Sequence, residues 1–413
     1  MAVSVRSHAF FVGNFQGKID VKTLERSNWV KVVEDKNTYN FLCTYFHKSH
    51  VDAMIEAEGQ KRPKFLNAVH HYRFDVNASI PLSTFNAARG SLTVFDGYKL
   101  NVIALHVYFM PLNIVLYAVE IDDSGSDLND LTLAHLTIRE FPMRWGQLND
   151  EFKKALEPIM VLSPDGDPKN LVTCGNKLKM FQILMVDKKI FSNELLYEIG
   201  TCSPIGVVNK GHNLSPSSTY YDNIIQKNML EPFTTWKSLS LMDSYTALIK
   251  CEDECNEEDW IGNKTTWINS YYRHIYLRVL MQKTFLSSQN IKYRLNHSDT
   301  NVIRDLSRME QYYFYNNISY NFLPDMLNKH MAYGMAVSEE KEELSTQVKE
   351  WDDKNTNTLM AVLSVFAIFS ISNDVYRLAK VLINRDSLIL LYTISGLALC
   401  FIIILVVRLI RRK

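Results

Sequence analysis

Cysteine and histidine pairs offer two places where the chain could bind a metal ion. Cys251 and Cys255 are four residues apart, so on a helix they share one face, where two thiolates could hold zinc. A second ligand pair is missing nearby, which favours a solvated acidic helix end. His70 and His71 fall in a predicted strand, where adjacent side chains point to opposite faces. We therefore expect a packed or surface pair and no shared metal ion.

The sequence gives little support for a phosphate-binding loop or for a known catalytic motif. Gly206 and Gly211 have the spacing of a phosphate-binding loop, but His212 and Asn213 stand where that loop needs lysine and serine or threonine. The sequence contains no His-Glu-x-x-His, Gly-x-Ser-x-Gly or Gly-x-Gly-x-x-Gly motif. We therefore expect a protein that is not an enzyme.

Composition sets further bounds on the partners and the compartment. The 413 residues include 45 Lys and Arg and 45 Asp and Glu, so the formal net charge is zero and direct binding of nucleic acid is not expected. The six cysteines are scattered, and the first residues do not form a secretory signal. This pattern indicates reduced thiols in the cytosol.

Residues 1–214 predict an α/β cytoplasmic domain. Runs rich in aromatic and β-branched residues alternate as strands do, and Pro111 and Asn113 mark a turn between two of them. The following run LNDLTLAHLTIREF has helical spacing, with Asp127 or Ser126 as its N-cap.

Residues 215–356 predict a helical and stalk region. The tract from Tyr220 to Cys255 is interpreted as helix, as is a second tract beyond the acidic stretch. After Pro324, one long helix is expected to carry an apolar stripe made of Leu327, Met331, Met335, Leu344, Val348 and Trp351.

Residues 357–413 predict a membrane domain with spans at about 357–378 and 388–409. The second span is followed by a basic cluster, which places both termini in the cytoplasm and the protein in the inner membrane as a multi-pass protein. The apolar centre of the first, Leu359 to Ile371, is short, and a buried or re-entrant helix is the alternative.

The first predicted span resembles the pore helix of CorA divalent-cation channels, which opens with Asn-x-x-Met-x-x-Leu-Thr. Here the run is Asn357-Thr-Leu-Met360-Ala-Val-Leu363-Ser364, although a generic amphipathic membrane helix shares much of it. The resemblance implies an α+β cytoplasmic domain, a long-helix stalk and two C-terminal transmembrane helices in a homo-oligomer, a pentamer in the family, embedded in membrane lipid. It also implies a pore lined by Asn357, Met360, Ser364 or Leu363, Ala367, Ile371, Asn373 and Asp374.

The family's Gly-Met-Asn pore mouth is replaced by Val381, Leu382 and Ile383, which cannot supply its hydrogen-bonding ring. The stretch Tyr333-Gly334-Met335 has three letters of the longer Tyr-Gly-Met-Asn signature but precedes the first span. It is therefore interpreted as part of the stalk, where Gly334 lets neighbouring helices approach closely.

CorA-like proteins without the tripeptide include membrane effectors of type III CRISPR defence. The resemblance implies a ligand-gated antiviral channel that is activated by a small nucleotide second messenger, SAM-AMP, and disrupts membrane integrity; no pocket for it is evident. Alternatives are a diverged magnesium or divalent-cation transporter, with a divalent cation as permeant ion, and a membrane scaffold. A salt-dependent gating latch would join the acidic tip to the basic tail. Its residues are Glu252, Asp253, Glu254, Glu257, Glu258 and Asp259 with Arg411, Arg412 and Lys413.

Overall fold

The computed structural model describes residues 5–16, 21–60, 69–86, 91–124, 127–171, 177–209, 215–251, 257–295, 317–347 and the single residues 349, 360, 377 and 396. The chain divides into two compact units, Met1–Lys341 and Glu342–Lys413. In the second unit, 342–347 is helical, and Gln347 Nε2 donates to Glu343 Oε1 one turn earlier at 3.1 Å. The architecture below is that of the first unit.

One nine-stranded mixed sheet organises this unit, with the strand order β2-β3-β4-β5-β1-β6-β9-β8-β7. Strands β6 and β9 pair in parallel, and the other neighbours in this order pair antiparallel. The strands are β1 Val5–Gln16, β2 Val30–Lys31, β3 His70–Asn86, β4 Ser91–Met110, β5 Ile114–Ser124, β6 Lys179–Asp187, β7 Met229–Phe233, β8 Trp236–Leu241 and β9 Ser244–Cys251.

Helices cover both faces of the sheet. They are α1 Val21–Arg26, α2 Lys36–Tyr45, α3 Lys48–Met54, α4 Leu128–Arg139, α5 Phe141–Arg144, α6 Asp150–Leu156, α7 Asn193–Gly200, α8 Ser218–Asn228, α9 Glu257–Gly262, a π-helix Asn263–Tyr272, α10 Arg273–Leu295 and α11 Phe322–Gly334. A further helical stretch covers 337–341 of this unit. Short 3-10 turns connect several of these elements, including Pro111–Asn113 between β4 and β5.

The two faces of the sheet carry separate apolar layers because side chains alternate along each strand. From β1, Phe11 and Phe15 join a core that includes Leu133 of α4 and Phe152 of α6. On the opposite face, Phe10 of β1 packs near Phe181, with ring centroids 6.2 Å apart. Burial of each large side chain stabilises the fold by roughly 1.5–3 kcal/mol.

Helix α10 covers the face that carries Phe10 and Phe181. Tyr276 of α10 packs on Phe181 with ring centroids 5.0 Å apart, and Tyr245 of β9 stacks on the same ring at 5.7 Å. All of these rings are buried. The start of α10 is thereby fixed over the middle strands of the sheet.

The local signals read from residues 111–140 are confirmed. Asn113 has a φ of 61° in the 3-10 turn between β4 and β5, a left-handed conformation that asparagine adopts more readily than most residues. Asp127 is the N-cap of α4, and its carboxylate accepts from the backbone N–H groups of Asn129 and Asp130. Both signals depend on neighbours in sequence, so tertiary contacts did not override them.

The helix predicted from Tyr220 to Cys255 is wrong beyond residue 228. After α8, the chain forms the three strands β7, β8 and β9. Ser238, Ser240 and Ser244 are buried in these strands, and the Ser244 hydroxyl donates to the Gly200 carbonyl at 2.8 Å. Short mixed runs such as WKSLSL fit either period, and pairing with the edge of the existing sheet decides between them.

The long stalk helix predicted after Pro324 is interrupted. Helix α11 ends at Gly334, and Ala336 has a φ of 54° in the turn that follows. Leu327, Met331 and Met335 of the predicted stripe are buried, whereas Val348 and Trp351 lie outside the described residues. The close approach expected at Gly334 is present, but its neighbour is strand β8 and not a helix.

The predicted CorA-like fold is corrected by the sheet and by the helices. The described residues form an α/β fold with a large mixed sheet, and none of their helices is long and apolar enough to cross a membrane. Even α10, with 23 residues, carries Arg278 and Lys283 along its length. This finding contradicts the predictions of a membrane protein, of an ion channel and of a multi-pass inner-membrane location. The spans predicted at 357–378 and 388–409 lie outside the described residues, apart from Met360, Arg377 and Gly396.

Candidate functional site

A cavity of about 510 Å³ opens on the α10 side of the sheet. Its walls come from α2, from the segment around β2, from β3 and β4, from the π-helix and from the first residue of α10. This volume lies in the range of small-molecule sites. The charged and imidazole side chains in its lining are Glu34, His71, Arg73, His106 and Arg273.

Helix α2 forms one wall and begins at a local cap. The Asp35 carboxylate accepts from the backbone N–H groups of Asn37 at 2.7 Å and Thr38 at 2.9 Å. These hydrogen bonds, the one from the Thr38 backbone first, lower the pKa of Asp35. One turn later, Phe41 reaches the π-helix and packs edge-on against Trp267, with ring centroids 5.6 Å apart. The cap and the aromatic contact together hold this wall in place.

The opposite wall is a ten-residue π-helix, Asn263–Tyr272. π-Helical turns are rare, and they occur often at functional sites. This one brings Thr266, Asn269 and Ser270 to the cavity and ends where α10 begins with Arg273. A rare backbone geometry thus supplies polar side chains to the cavity.

The floor of the cavity leads into a line of polar side chains that we call the histidine relay, formed by His71, His106, Glu120 and His8. His71 Nε2 lies 2.9 Å from His106 Nδ1, and His106 Nε2 lies 2.8 Å from Glu120 Oε2. On the far side of the carboxylate, His8 Nε2 lies 3.3 Å from Glu120 Oε1.

Strand register explains why these four residues meet. His106 lies opposite Arg73 on β3, and Glu120 lies opposite Ala104 on β4 and Phe10 on β1. Each step of the relay therefore joins diagonal neighbours on one face of the sheet, a separation that long side chains can bridge. The relay crosses four strands in the spatial order β3, β4, β5 and β1.

Burial and hydrogen bonding fix the protonation of the relay. Burial lowers the pKa of His106, outweighing the opposing contact with Glu120, and it lowers the pKa of His71 well below its ordinary value. Burial alone would raise the pKa of Glu120, but its contacts with His106 and His8 hold it well below its ordinary value. His71 and His106 are therefore neutral imidazoles in line with an ionised Glu120 carboxylate.

This protonation assigns the tautomers from the hydrogen-bond network. His106 Nε2–H donates to Glu120, so His106 Nδ1 is an acceptor and takes the Nε2–H of His71. His71 Nδ1 is then left without a proton. No hydrogen bond to this atom is seen within the described chain, and His71 lines the cavity.

Arg273 is the unusual charge of the cavity. It is only 8% exposed, and its Nε has no hydrogen-bond partner among the described residues. Its guanidinium lies over the Phe10 ring, 5.2 Å from the centroid, which is a weak substitute for an anion. Arg73 also lines the cavity, but its Nε donates to Asp75 at 2.6 Å. Buried charges are ordinarily paired, so the cavity has room for a negative partner for Arg273.

The sequence-predicted sites are mostly not brought together. Of the pore-lining set, Met360 is helical and exposed, while Asn357, Leu363, Ser364, Ala367, Ile371, Asn373 and Asp374 lie outside the described residues, as do Val381, Leu382 and Ile383. Of the gating set, Glu258 and Asp259 are exposed on α9, and Glu257 begins that helix. Glu252, Asp253, Glu254, Arg411, Arg412 and Lys413 lie outside the described residues.

The histidine pair behaves as its strand position predicted. His70 is exposed, with its Nδ1 3.3 Å from Glu56, whereas His71 contacts His106 within the relay. Cys251 ends β9, Cys255 lies outside the described residues, and the described part of the chain contains no cluster of three or more potential metal ligands.

Sequence reasoning missed His106, Glu120 and Arg273. His106 and Glu120 stand at alternate positions of apolar strands, ALHVYF and YAVEID, where a buried polar residue is itself a signal. Arg273 gave no such signal, because its position depends on how α10 packs against Phe10.

Comparison with protein-family models, with curated proteins and with solved structures found no match to this chain. The resemblance to CorA-like effectors, the homo-oligomer, the nucleotide ligand and the lack of enzyme activity therefore stay predictions.

Proposed function

We propose that this chain is a ligand-binding sensor whose cavity takes a small anion of the nucleotide class. The observation that carries the proposal is Arg273, a buried guanidinium whose Nε has no partner among the described residues, at the wall of a 510 Å³ cavity. An anion bound there would replace the water that Arg273 loses on burial, which favours binding.

The charge balance of the cavity fits this class of ligand. Arg73 and Arg273 are positive, Glu34 is negative, and His71 and His106 are neutral. Because Arg73 is already paired with Asp75, the charge that a phosphate group would pair with is that of Arg273. Glu34 could accept a hydrogen bond from a sugar hydroxyl or from the amino group of a base.

The remaining lining favours a nucleotide over inorganic phosphate. Phe41 offers an aromatic ring, and Asn37, Thr38 and Asn269 offer amide and hydroxyl groups on the two walls. An aromatic surface with a few polar groups is what a flat heterocyclic base requires. SAM-AMP, the messenger that the resemblance implies, belongs to this class, and the proposal makes no use of a membrane.

A thermal-shift comparison tests the proposal. The full chain is heated alone and with AMP, cyclic AMP, SAM-AMP, adenosine or inorganic phosphate. We expect at least one nucleotide to raise the melting temperature and adenosine to do so much less, because adenosine lacks the anion that pairs with Arg273.

Two arginine variants make the comparison specific to the cavity. Arg273→Gln should abolish the nucleotide-dependent shift, whereas Arg26→Gln, on the exposed end of α1, should keep it. Equal shifts in both variants would overturn the proposal, as would the absence of any shift with all three nucleotides in the wild-type chain.

A further inference from the structure

We propose that the cavity also hydrolyses the phosphate ester that it binds, with His71 Nδ1 as the general base. This inference rests on the proposed function, because the ester must first bind beside Arg273. It goes beyond that function by assigning a reaction, the transfer of a phosphoryl group to water, and a role for the histidine relay.

His71 is held as a general base should be held. Its ring stacks on Tyr108, with centroids 4.4 Å apart and planes 18° apart, and its Nε2 contacts His106 at 2.9 Å. These two contacts fix both the ring plane and the tautomer. The remaining nitrogen, Nδ1, carries a lone pair on a residue of the cavity wall. A fixed, unprotonated imidazole nitrogen is what proton abstraction from water requires.

The rest of the relay would stabilise the charge that forms on His71. When Nδ1 takes a proton, the resulting imidazolium donates from Nε2 to His106, which in turn donates to the Glu120 carboxylate at 2.8 Å. Glu120 is buried, so its negative charge is screened less than at the surface. A carboxylate that orients and stabilises an imidazole through its far nitrogen is the arrangement of catalytic triads, here extended by one histidine.

The arginines would hold the reacting group. Arg273 lies close enough that its charge contributes to lowering the pKa of both His71 and His106. A guanidinium in this position can donate to two non-bridging oxygens of a phosphate ester, and Arg73 borders the same cavity. Donors preorganised around developing negative charge lower the barrier more in a water-poor site than in water.

The reaction balances with water as its co-reactant. A water proton passes to His71 Nδ1 while the water oxygen forms a bond to phosphorus. The ester P–O bond on the other side of phosphorus breaks, and the departing oxygen takes a proton from solvent. The His71 imidazolium then releases its proton to solvent, which restores the starting relay.

Two neighbouring histidines give a matched pair of variants for the test. The full chain is incubated with bis(4-nitrophenyl) phosphate and, separately, with cyclic AMP in the presence of EDTA, which suppresses contaminating metal-dependent phosphodiesterases. Nitrophenolate release and conversion of cyclic AMP to AMP are measured for the wild type, for His71→Asn and for His70→Asn. His70 is next in sequence but exposed and paired with Glu56, so it controls for a change in histidine content.

We expect turnover by the wild type and by His70→Asn, with a loss of about 100-fold or more in His71→Asn. Binding of cyclic AMP, measured by calorimetry, should stay within threefold in both variants. The wild-type rate should rise with pH to a plateau, with an apparent pKa below 6.5, because His71 must be unprotonated and its pKa is lowered. A purely structural role for His71 would not produce this profile.

Two outcomes would overturn the hydrolysis. One is wild-type binding of cyclic AMP without turnover of either ester, which would leave the binding function intact. The other is full turnover in His71→Asn. If His71→Asn does not fold, His71→Gln is measured under the same conditions, with the same result expected and the same results contradicting it.

Discussion

His71 and His106 contact each other through Nε2 and Nδ1 at 2.9 Å, from adjacent strands and at diagonal positions of the sheet. This contact connects the wall of the cavity with the buried carboxylate of Glu120. Glu120 fixes the tautomer of His106, and His106 in turn fixes that of His71. Burying polar side chains on four strands costs free energy. The hydrogen bonds from His71 to His106 and from His106 to Glu120 offset part of that cost.

The buried histidines predict that stability falls in acid. Burial lowers the pKa of His50, His106 and His274, that of His274 to about 3, so the folded chain keeps them neutral. The unfolded chain binds protons below pH 6.5, which means that stability present at neutral pH is lost as the pH falls through that value. Between pH 7.5 and 5.5 we expect each buried histidine to remove up to about 1.4 kcal/mol from the free energy of unfolding, measured by urea denaturation.

Two variants separate buried from exposed histidines in this experiment. His274→Leu should make the pH dependence shallower by the share of one histidine, because neither ring nitrogen of His274 has a hydrogen-bond partner among the described residues. His70→Gln should leave it unchanged, because His70 is exposed. A wild-type free energy of unfolding that is constant from pH 7.5 to 5.5 would contradict the assignment of neutral buried imidazoles.

Removing the charge of the buried Glu120 carboxylate should lower the free energy of unfolding substantially. In Glu120→Gln the amide NH₂ replaces an oxygen that faces an imidazole N–H, so two donors meet in a buried site. We expect the free energy of unfolding to fall by about 2 kcal/mol or more at pH 7. Glu25→Gln, on the exposed face of α1, should change it by less than about 0.5 kcal/mol. Equal effects of the two variants would show that the relay does not stabilise the fold.

Adding a side chain at Gly334 should destabilise the contact between α11 and β8. A Cβ built there would lie 2.4 Å from the Ser240 carbonyl oxygen, so Gly334→Ala forces the helix away from the strand. We expect a loss of about 1–3 kcal/mol in thermal or urea unfolding. Gly262→Ala is the matched control, because nothing lies within 4 Å of its added Cβ and its backbone is helical. The control should gain up to about 1 kcal/mol, and a loss in the control equal to that of Gly334→Ala would contradict the steric account.

The buried guanidinium of Arg139 connects α4 to the turn between β8 and β9. It contacts the Asp243 carboxylate, and its Nε donates to the Leu178 carbonyl at 3.3 Å. Arg139→Met should cost about 2–4 kcal/mol, because Asp243 and the carbonyl lose their donor. Lys153→Ala, which breaks an exposed pair with Asp150, should cost less than about 1 kcal/mol. Urea unfolding that ranks the two variants in the opposite order would contradict this role.

Local signals made part of the fold predictable. Three features depend on residues close in sequence. They are the Asp127 cap, the turn at Asn113 and the strand in which His70 and His71 point to opposite faces. Strands β7 to β9 were not predictable in this way, because a run such as WKSLSL becomes a strand through its pairing with β9, which pairs in turn with β6. The apolar runs near the C-terminus favoured a channel, and they gave no information about the sheet that dominates the described chain.

The candidate site was less predictable than the fold. His71 was interpreted as a packed or surface residue from its strand position alone, and its partners His106 and Glu120 are 35 and 49 residues away in the chain. Arg273 at the start of α10 contacts Phe10 of β1, which is 263 residues away in the chain. Contacts of this range arise from strand register and helix packing, which a single sequence does not encode locally.

Isothermal titration of AMP into the full chain measures whether Arg273 holds an anion in the cavity, with the wild type compared with Arg273→Gln and Arg273→Lys. We expect saturable binding by the wild type, a loss of at least tenfold in affinity in Arg273→Gln, and a smaller loss in Arg273→Lys, which keeps the charge but not the two-pronged donor. An affinity for AMP that is unchanged in Arg273→Gln would contradict this role of Arg273, as would a wild type that binds none of AMP, cyclic AMP and SAM-AMP.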